Sequence, residues 1–383
     1  MRVNQDSRTI KKGEWFVAIK GGNFDGHEFI VEALKKGAVG VLEINELYEL
    51  ARRKLAKINP KVIAVTGSYG KTTTKEAVYK VLSKKYSVLR TQGNLNTPLG
   101  VAMEVVNNLK SHHRVLVAEV GMDRAGEIRE TCSIILPRIA VITAIGEMHL
   151  EKLGTLEKIR RAKAEILESL PKNGIAVLNS DDPSVVRVAE VFGGKKVWYG
   201  FSKNSQVRLD TLPKFRIKLL GKASISNALA AAAVGRVMGL PDSGIVKSLS
   251  GLRPKKGRLF LIKGRKGITV IDDTYNAGPR SVANALEVLR SLPAKRRIAV
   301  FGDMLELGRL EKQAHERIVS DAARVVDIFV PVGERMNRAV SKTGVSFVPI
   351  DLLSLEVGDL VLVKGSRGMR MEEIVDDILK NAY

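Results

Sequence analysis

The segment Val62–Thr74 reads VIAVTGSYGKTTT: an apolar run, a glycine-bearing turn, then a lysine and three threonines. Glycines let backbone N–H groups turn toward phosphate oxygens, and a helix that follows offers its positive N-terminal end. Lys71 is placed to bridge the β- and γ-phosphates of a nucleoside triphosphate, and the Thr72 hydroxyl to take Mg2+. The strict pattern G-x-x-x-x-G-K-[ST] asks for glycine at position 65, where this chain has Val65, so the match is to a variant loop. A plain strand-to-helix turn would account for the glycines but not for the threonines. Glu119 falls within a second apolar run, Val115–Val120. A carboxylate at the end of a buried strand beside such a loop suits a metal ligand; the alternative is a strand-end acid facing solvent. His149 follows a third run, Ile139–Ile145, and by itself reads as a surface or capping histidine.

Lys163 stands out. Across 156–170 the apolar positions Leu156, Ile159, Ile166, Leu167 and Leu170 form a helical stripe roughly 100° wide, and Lys163 falls near its middle. Either its stem is buried while the head snorkels to water, or the head is directed into a site, where chemical modification would change its charge. Three further polar loops follow apolar runs: Asp272–Asn276 after Ile268–Ile271, Gly302–Gly308 after Ile298–Phe301, and Lys364–Gly368 after Leu360–Val363. Together they point to one shared binding edge.

The elements that must position these residues are legible in outline. Short, continuous, β-branched runs without alternation read as parallel strands buried on both faces, and helical patterns such as Lys75–Lys84 lie between them. The expected fold is α/β in three parts. These are a small N-terminal α/β segment over 1–58, a central domain with a mainly parallel sheet over 59–253, and a Rossmann-like α/β domain over 254–383. The linkers fall near Asn59-Pro60 and Gly251–Lys256.

Composition narrows the class. With 383 residues, several domains are expected. No apolar run approaches the ~18 residues of a membrane span, and the polar start MRVNQDSR lacks a signal-peptide core; a cytoplasmic protein without membrane insertion is expected. Cys132 is the single cysteine, so no intrachain disulfide forms. The formal charge of +22 sits mostly in the middle segment and suits either polyanionic ligands or a Lys/Arg-rich solvated surface. Nucleic acid is not expected as a partner, because aromatics are sparse and none interleaves with the scattered basic residues.

Taken in order along nearly the whole chain, these segments resemble the Mur ligases, the ATP-dependent amino-acid ligases of peptidoglycan synthesis. DSR (Asp6–Arg8) and FDGHEF (Phe24–Phe29) are similar to the family's UDP-binding N-terminal domain, which implies Ser7, Arg8, Asp25, Gly26 and His27 as substrate contacts. TGSYGKTTT matches the family's variant phosphate loop and accounts for Val65. It implies ATP contacts at Thr66, Gly67, Ser68, Tyr69, Gly70, Lys71, Thr72 and Thr73. GNLNTPLG (Gly93–Gly100) implies substrate contacts at Asn94, Asn96 and Thr97, and EVGM (Glu119–Met122) places Glu119 on Mg2+. HLEKLGTLEKIRRAKAEI matches the stretch that carries a metal-binding histidine and a carbamylated lysine, here His149 and Lys163. DDTYNAGP, GDMLELG and VLVKGSRGMRME look like the branch that joins D-alanyl-D-alanine to UDP-N-acetylmuramoyl-tripeptide. They imply Tyr275, Asn276, Lys364, Ser366 and Arg367 on the dipeptide side and Asp273 on the nucleotide and at the dipeptide face; the resemblance as a whole also implies Arg258 on the nucleotide. The adenine-side pattern G-x-H-N-x-x-N departs from the family: Gly221–Asn227 has Ala223 and Ser224 at its middle polar positions and keeps Asn227. The chain also begins almost at DSR, so a curtailed first strand or a misplaced start is expected. The implied chemistry uses ATP and two Mg2+ ions, with Lys71, Glu119, His149 and Lys163 catalytic, in a monomer. The nearest alternative is another ligase of the superfamily, such as the third-residue-adding or folylpolyglutamate type.

Overall fold

The computed structural model describes residues 1–21, 25–93, 95–148, 150–214, 217–264 and 267–381. The expected strands and helices form, in two compact units. The first comprises Met1–Ile145, Arg160–Lys214 and Ala228–Leu249; the second comprises Gly146–Ile159, Phe215–Asn227 and Ser250–Tyr383. The break between Leu249 and Ser250 falls beside the linker expected near Gly251–Lys256, and the segment 1–58 lies within the first unit. Two helices, Leu156–Glu168 and Gly221–Val237, run from one unit into the other.

The first unit carries two sheets. Strands β1 (Val3–Asn4), β2 (Trp15–Ala18) and β3 (Gly40–Glu43) pair in parallel in that order. The first strand is only two residues long, and a side chain holds its end: Asn107 accepts from the Val3 N–H (2.8 Å) and donates to the Val3 carbonyl (3.0 Å). The helix Ile44–Ile58 begins with a reciprocal capping box between Glu43 and Glu46 and stops at Asn59, which is left-handed just before Pro60. Its Lys54 ammonium donates to the Val106 carbonyl (2.5 Å), which fastens the N-terminal segment to the helix Pro98–Asn108.

The larger sheet holds β4 (Lys61–Thr66), β5 (Val88–Arg90), β6 (Val115–Glu119), β7 (Ile139–Ile142), β8 (Ile175–Asn179) and β9 (Lys195–Tyr199), in the order β5-β6-β4-β7-β8-β9 and parallel throughout. The strand β7 ends at Ile142, short of the expected Ile145, and just beyond it Thr143 hydrogen-bonds the root of the phosphate loop. From β4 the chain goes to β5 on one side of the sheet, then from β6 to β7 on the other. The crevice outside the C-terminal end of β4 is therefore a topological switch point, where ligands bind in such sheets.

The second unit is built on β10 (Phe260–Lys263), β11 (Thr269–Asp272), β12 (Arg296–Gly302), β13 (Ile328–Val332) and β14 (Asp359–Lys364), in the order β10-β11-β14-β12-β13, with only β10 antiparallel. Both faces are covered: Ile271, Ala299, Phe301 and Leu362 enter one core, while Val270, Ile298, Val300 and Val363 enter the other. Burial on both faces is why these strands read as unbroken apolar runs.

Candidate functional site

β4 delivers the chain into the phosphate loop, and the loop's backbone demands its glycines. Gly67 has φ +148, and a Cβ there would lie 2.0 Å from Thr143 Oγ1. Gly70 is left-handed at φ +82 and starts the helix Lys71–Leu82 without a side-chain cap. That leaves the first-turn N–H groups and the positive helix end facing the loop, a ready anion site. Thr143 braces the loop by donating to Tyr69 O (2.5 Å) and Thr66 O (3.2 Å), and the Ser68 N–H donates to Ala144 O (2.6 Å). Thr66 is buried, and its hydroxyl donates to Val120 O (2.8 Å), so this side chain ties two strands together. The Lys71 ammonium lies back on the loop, donating to Gly67 O (2.9 Å) and Ser68 O (3.4 Å).

Register brings Glu119 to the loop's root, since Val65 on β4 is directly beside Glu119 on β6. The carboxylate is 2% exposed. Its Oε1 accepts from the Thr72 hydroxyl (3.1 Å) and the Asn96 amide (3.2 Å). Its Oε2 accepts no hydrogen bond among the described residues, although the Lys75 ammonium lies 3.2 Å away. A buried carboxylate oxygen that accepts no hydrogen bond among the described residues, next to a hydroxyl, suits a hard cation that takes oxygen ligands. Thr72 and Glu119 therefore fit Mg2+, although no cluster of three His, Cys, Asp or Glu forms among the described residues. Asn96 is locked in place because Gly121 has no Cβ to meet its amide, which would lie 2.8 Å away. Thr97 instead caps the helix Pro98–Asn108.

Lys163 is 1% exposed on the helix Leu156–Glu168, so of the two readings of its place on the apolar stripe the snorkelling one does not hold. Burial, with the Lys71 ammonium adding to it, holds the Lys163 amine well below the ordinary lysine range, while Glu165, Asp123 and Glu127 pull it back. Glu165 is already engaged, accepting from the Gly126 N–H (2.8 Å) and the Arg129 N–H (3.0 Å) at the start of another helix. His149 and Asn94 lie outside the described residues. Lys75 and Thr91, whose hydroxyl accepts from the Glu119 N–H (3.0 Å), were not foreseen. Lys75 had a signal: it shares the helix face of Val78 and Leu82, as Lys163 shares its own stripe.

Elsewhere in this unit, Gly26 is required by a backbone approach, since a Cβ would sit 2.7 Å from Ile19 N and O. His27 is held between Asp25 (2.5 Å) and Glu43 (3.0 Å), and the two carboxylates raise its pKa. Ser7 donates to Glu32 (3.2 Å), and Arg8 makes a bidentate pair with Asp6 (2.9 and 2.8 Å).

In the second unit the three polar loops do share one edge. Lys364, at the end of β14, donates to Asp273 Oδ2 (2.6 Å) and Asn276 O (2.9 Å). Burial pushes the Asp273 carboxyl above its usual range, against the pull of the Lys364 ammonium. Ser366 accepts from the Leu305 N–H (2.8 Å) and donates to Ala277 O (3.5 Å), joining all three loops. His315 fixes the middle one, accepting from the Met304 N–H (2.9 Å). The Arg258 guanidinium stacks on the Tyr275 ring at 4.0 Å, a cation–π contact. Arg367 is exposed and paired with Glu372 (2.9 Å). Asn227 is half-buried on the helix Gly221–Val237.

A parallel sheet with a phosphate loop at its switch point and a hydroxyl–carboxylate pair beside it defines a nucleotide-dependent enzyme. The chain belongs to the Mur ligase family: models of the Mur ligase family catalytic domain, the Mur ligase middle domain and the Mur ligase glutamate ligase domain match residues 2–85, 65–235 and 257–367. It is similar to the UDP-N-acetylmuramoyl-tripeptide–D-alanyl-D-alanine ligases of Escherichia coli (33% identical, covering 99% of this chain and 94% of that protein) and Bacillus subtilis (32%, 99% and 93%). Among solved structures it resembles MurF from Acinetobacter baumannii, with a TM-score of 0.90 and 29% identity over 99% of this chain and 93% of the other. It also resembles MurF ligase from Thermotoga maritima in complex with ADP, with a TM-score of 0.88 and 30% identity over 100% and 98%.

Proposed function

We propose that this chain is an ATP-dependent amide ligase that joins D-alanyl-D-alanine to UDP-N-acetylmuramoyl-tripeptide, in peptidoglycan precursor synthesis. The observation that carries the reading is the Thr72–Glu119 pair, with a buried carboxylate oxygen that accepts no hydrogen bond among the described residues, at the root of the phosphate loop. In this reading the tripeptide carboxylate attacks the γ-phosphate of ATP, ADP leaves, and an acyl phosphate forms. The dipeptide amine then attacks the acyl carbon through a tetrahedral intermediate and expels phosphate.

The protein's part is positioning and charge neutralisation. The N–H groups at Gly70–Thr73 and the freed Lys71 ammonium hold the phosphates; Lys71 exchanges its loop carbonyls for phosphate oxygens. Thr72 and Glu119 would hold Mg2+, which when bound neutralises phosphate charge. Burial favours the neutral form of the Lys163 amine; that amine attacks CO2 and passes its proton to water, so a neutral amine becomes an anionic carbamate. That carbamate would serve a second ion together with His149. The segments 1–58, 59–253 and 254–383 are assigned to the UDP substrate, ATP and the dipeptide. Asp273, Tyr275, Asn276, Lys364 and Ser366 line the dipeptide edge, and Arg258 and Asn227 are assigned to the nucleotide. No helix among the described residues is long and apolar enough to cross a membrane, in keeping with soluble nucleotide-linked substrates. The test is phosphate release from ATP in the presence of UDP-N-acetylmuramoyl-tripeptide. Release that depends on D-alanyl-D-alanine is expected, and equal release with free amino acids would overturn the assignment.

A further inference from the structure

Lys75 is among the largest fully buried side chains of the protein, at 0% exposure, yet it is a lysine. Its ammonium sits 3.2 Å from Glu119 Oε2, 3.8 Å from Glu76 Oε1, and donates to Gly93 O at 3.3 Å. Glu76 is shared with Arg90 (2.9 Å), so Glu119 is the carboxylate most directly balanced by Lys75. A buried charge is tolerated only with a partner, and removing one member of such a pair strands the other. The Gly93 carbonyl belongs to the same loop that supplies Asn96 to Glu119 Oε1, so Lys75 ties that loop to the carboxylate from its other side.

We propose that Lys75 is a positioning residue that balances Glu119 when no cation is present and, by competing for the same carboxylate, limits how tightly the cation is held. The proposal rests on the reading of Glu119 as a metal ligand. A divalent ion on Glu119 must share that carboxylate with an ammonium 3.2 Å from Oε2, and like charges at such range repel strongly in a partly desolvated site. The consequence is a cation that binds with nucleotide and leaves with product, and a carboxylate that keeps its place in between.

The test uses the full chain with Lys75→Met, which keeps the apolar stem, with Glu119→Gln, and with both together. Melting in EDTA is expected to show each single variant below the parent and the double variant recovering most of the loss, because neither charge is then stranded. Mg2+ titrated calorimetrically in the presence of ADP is expected to bind Lys75→Met about tenfold more tightly or better. Losses that simply add in the double variant, or Mg2+ affinity unchanged or weakened in Lys75→Met, would overturn the proposal. If Lys75→Met does not fold, a folded double variant supports the pairing and an unfolded one overturns it. Glu119→Gln that binds Mg2+ and ADP as the parent does would instead remove Glu119 from the metal site, while the EDTA melts still judge the pairing.

Discussion

Replacing Lys364 by methionine isolates the contact that joins the loops of the second unit. Methionine keeps the apolar stem and removes the ammonium, so Asp273 Oδ2 and the Asn276 carbonyl lose donors at 2.6 and 2.9 Å. Asp273 is then left with the Leu259 N–H, 3.1 Å from Oδ1. Breaking a buried ion pair from one side costs about 3–5 kcal/mol, and at about 2–4 °C per kcal/mol this lowers the melting midpoint by roughly 6–20 °C. The pH dependence carries a definite sign. Burial already places the folded Asp273 carboxyl above its usual value, and loss of the ammonium raises it further. As pH rises from the ordinary carboxyl range toward the raised folded value, the unfolded chain ionises first and stability falls. The deficit of Lys364→Met should therefore shrink between pH 7.5 and pH 5. Calorimetric scans of the full chain at both values, without nucleotide, measure it. A deficit that widens toward pH 5, or a midpoint shift under about 2 °C, would refute the view of Lys364 as the balancing charge of this edge.

Gly67→Ala should cost nucleotide binding at least about tenfold, read by calorimetry with a non-hydrolysable ATP analogue. The new Cβ meets Thr143 Oγ1 at 2.0 Å and the backbone sits at φ +148. Lys163→Ala should abolish phosphate release, with partial recovery on adding acetate or propionate as a free carboxylate; near-normal turnover without rescue would take Lys163 out of the site. Asn107→Leu removes the bracket on Val3 and should cost about 1–3 kcal/mol. The cut should appear first near the N-terminus in limited proteolysis, while binding at the phosphate loop persists.

The order of elements was legible because strands buried on both faces carry unbroken apolar runs, as at Val115–Ala118 and Leu360–Val363, each fully buried. Local chemistry was legible too: the loop at Thr66–Thr74 and the lysine on the stripe of the helix Leu156–Glu168. Long-range pairings were not. That Thr91 would receive the Glu119 N–H, or Thr143 the task of bracing Tyr69, depends on strand register, which no local pattern encodes. The other unit boundaries were hidden for the same reason. The stretch Gly146–Ile159 belongs to the second unit, where the Glu151 N–H donates to Glu306 O (3.3 Å), a contact 155 positions away along the chain.

The two buried lysines of the first unit pose the same physical problem and have different answers. Both lie on apolar helix faces, at 0% and 1% exposure, where a bare ammonium is costly. Lys75 meets that cost with Glu119. Lys163 has no comparable partner among the described residues: Glu165, two positions on, is turned to backbone N–H groups at Gly126 and Arg129, and the nearby Lys71 charge opposes it. Burial and the Lys71 charge both weigh against an ammonium at Lys163. The carbamate proposed above would be favoured by the same Lys71 charge, against the opposing pull of Glu165, Asp123 and Glu127. The same reasoning predicts no modification of Lys75, where an anion would face Glu119 at the distance now held by the ammonium.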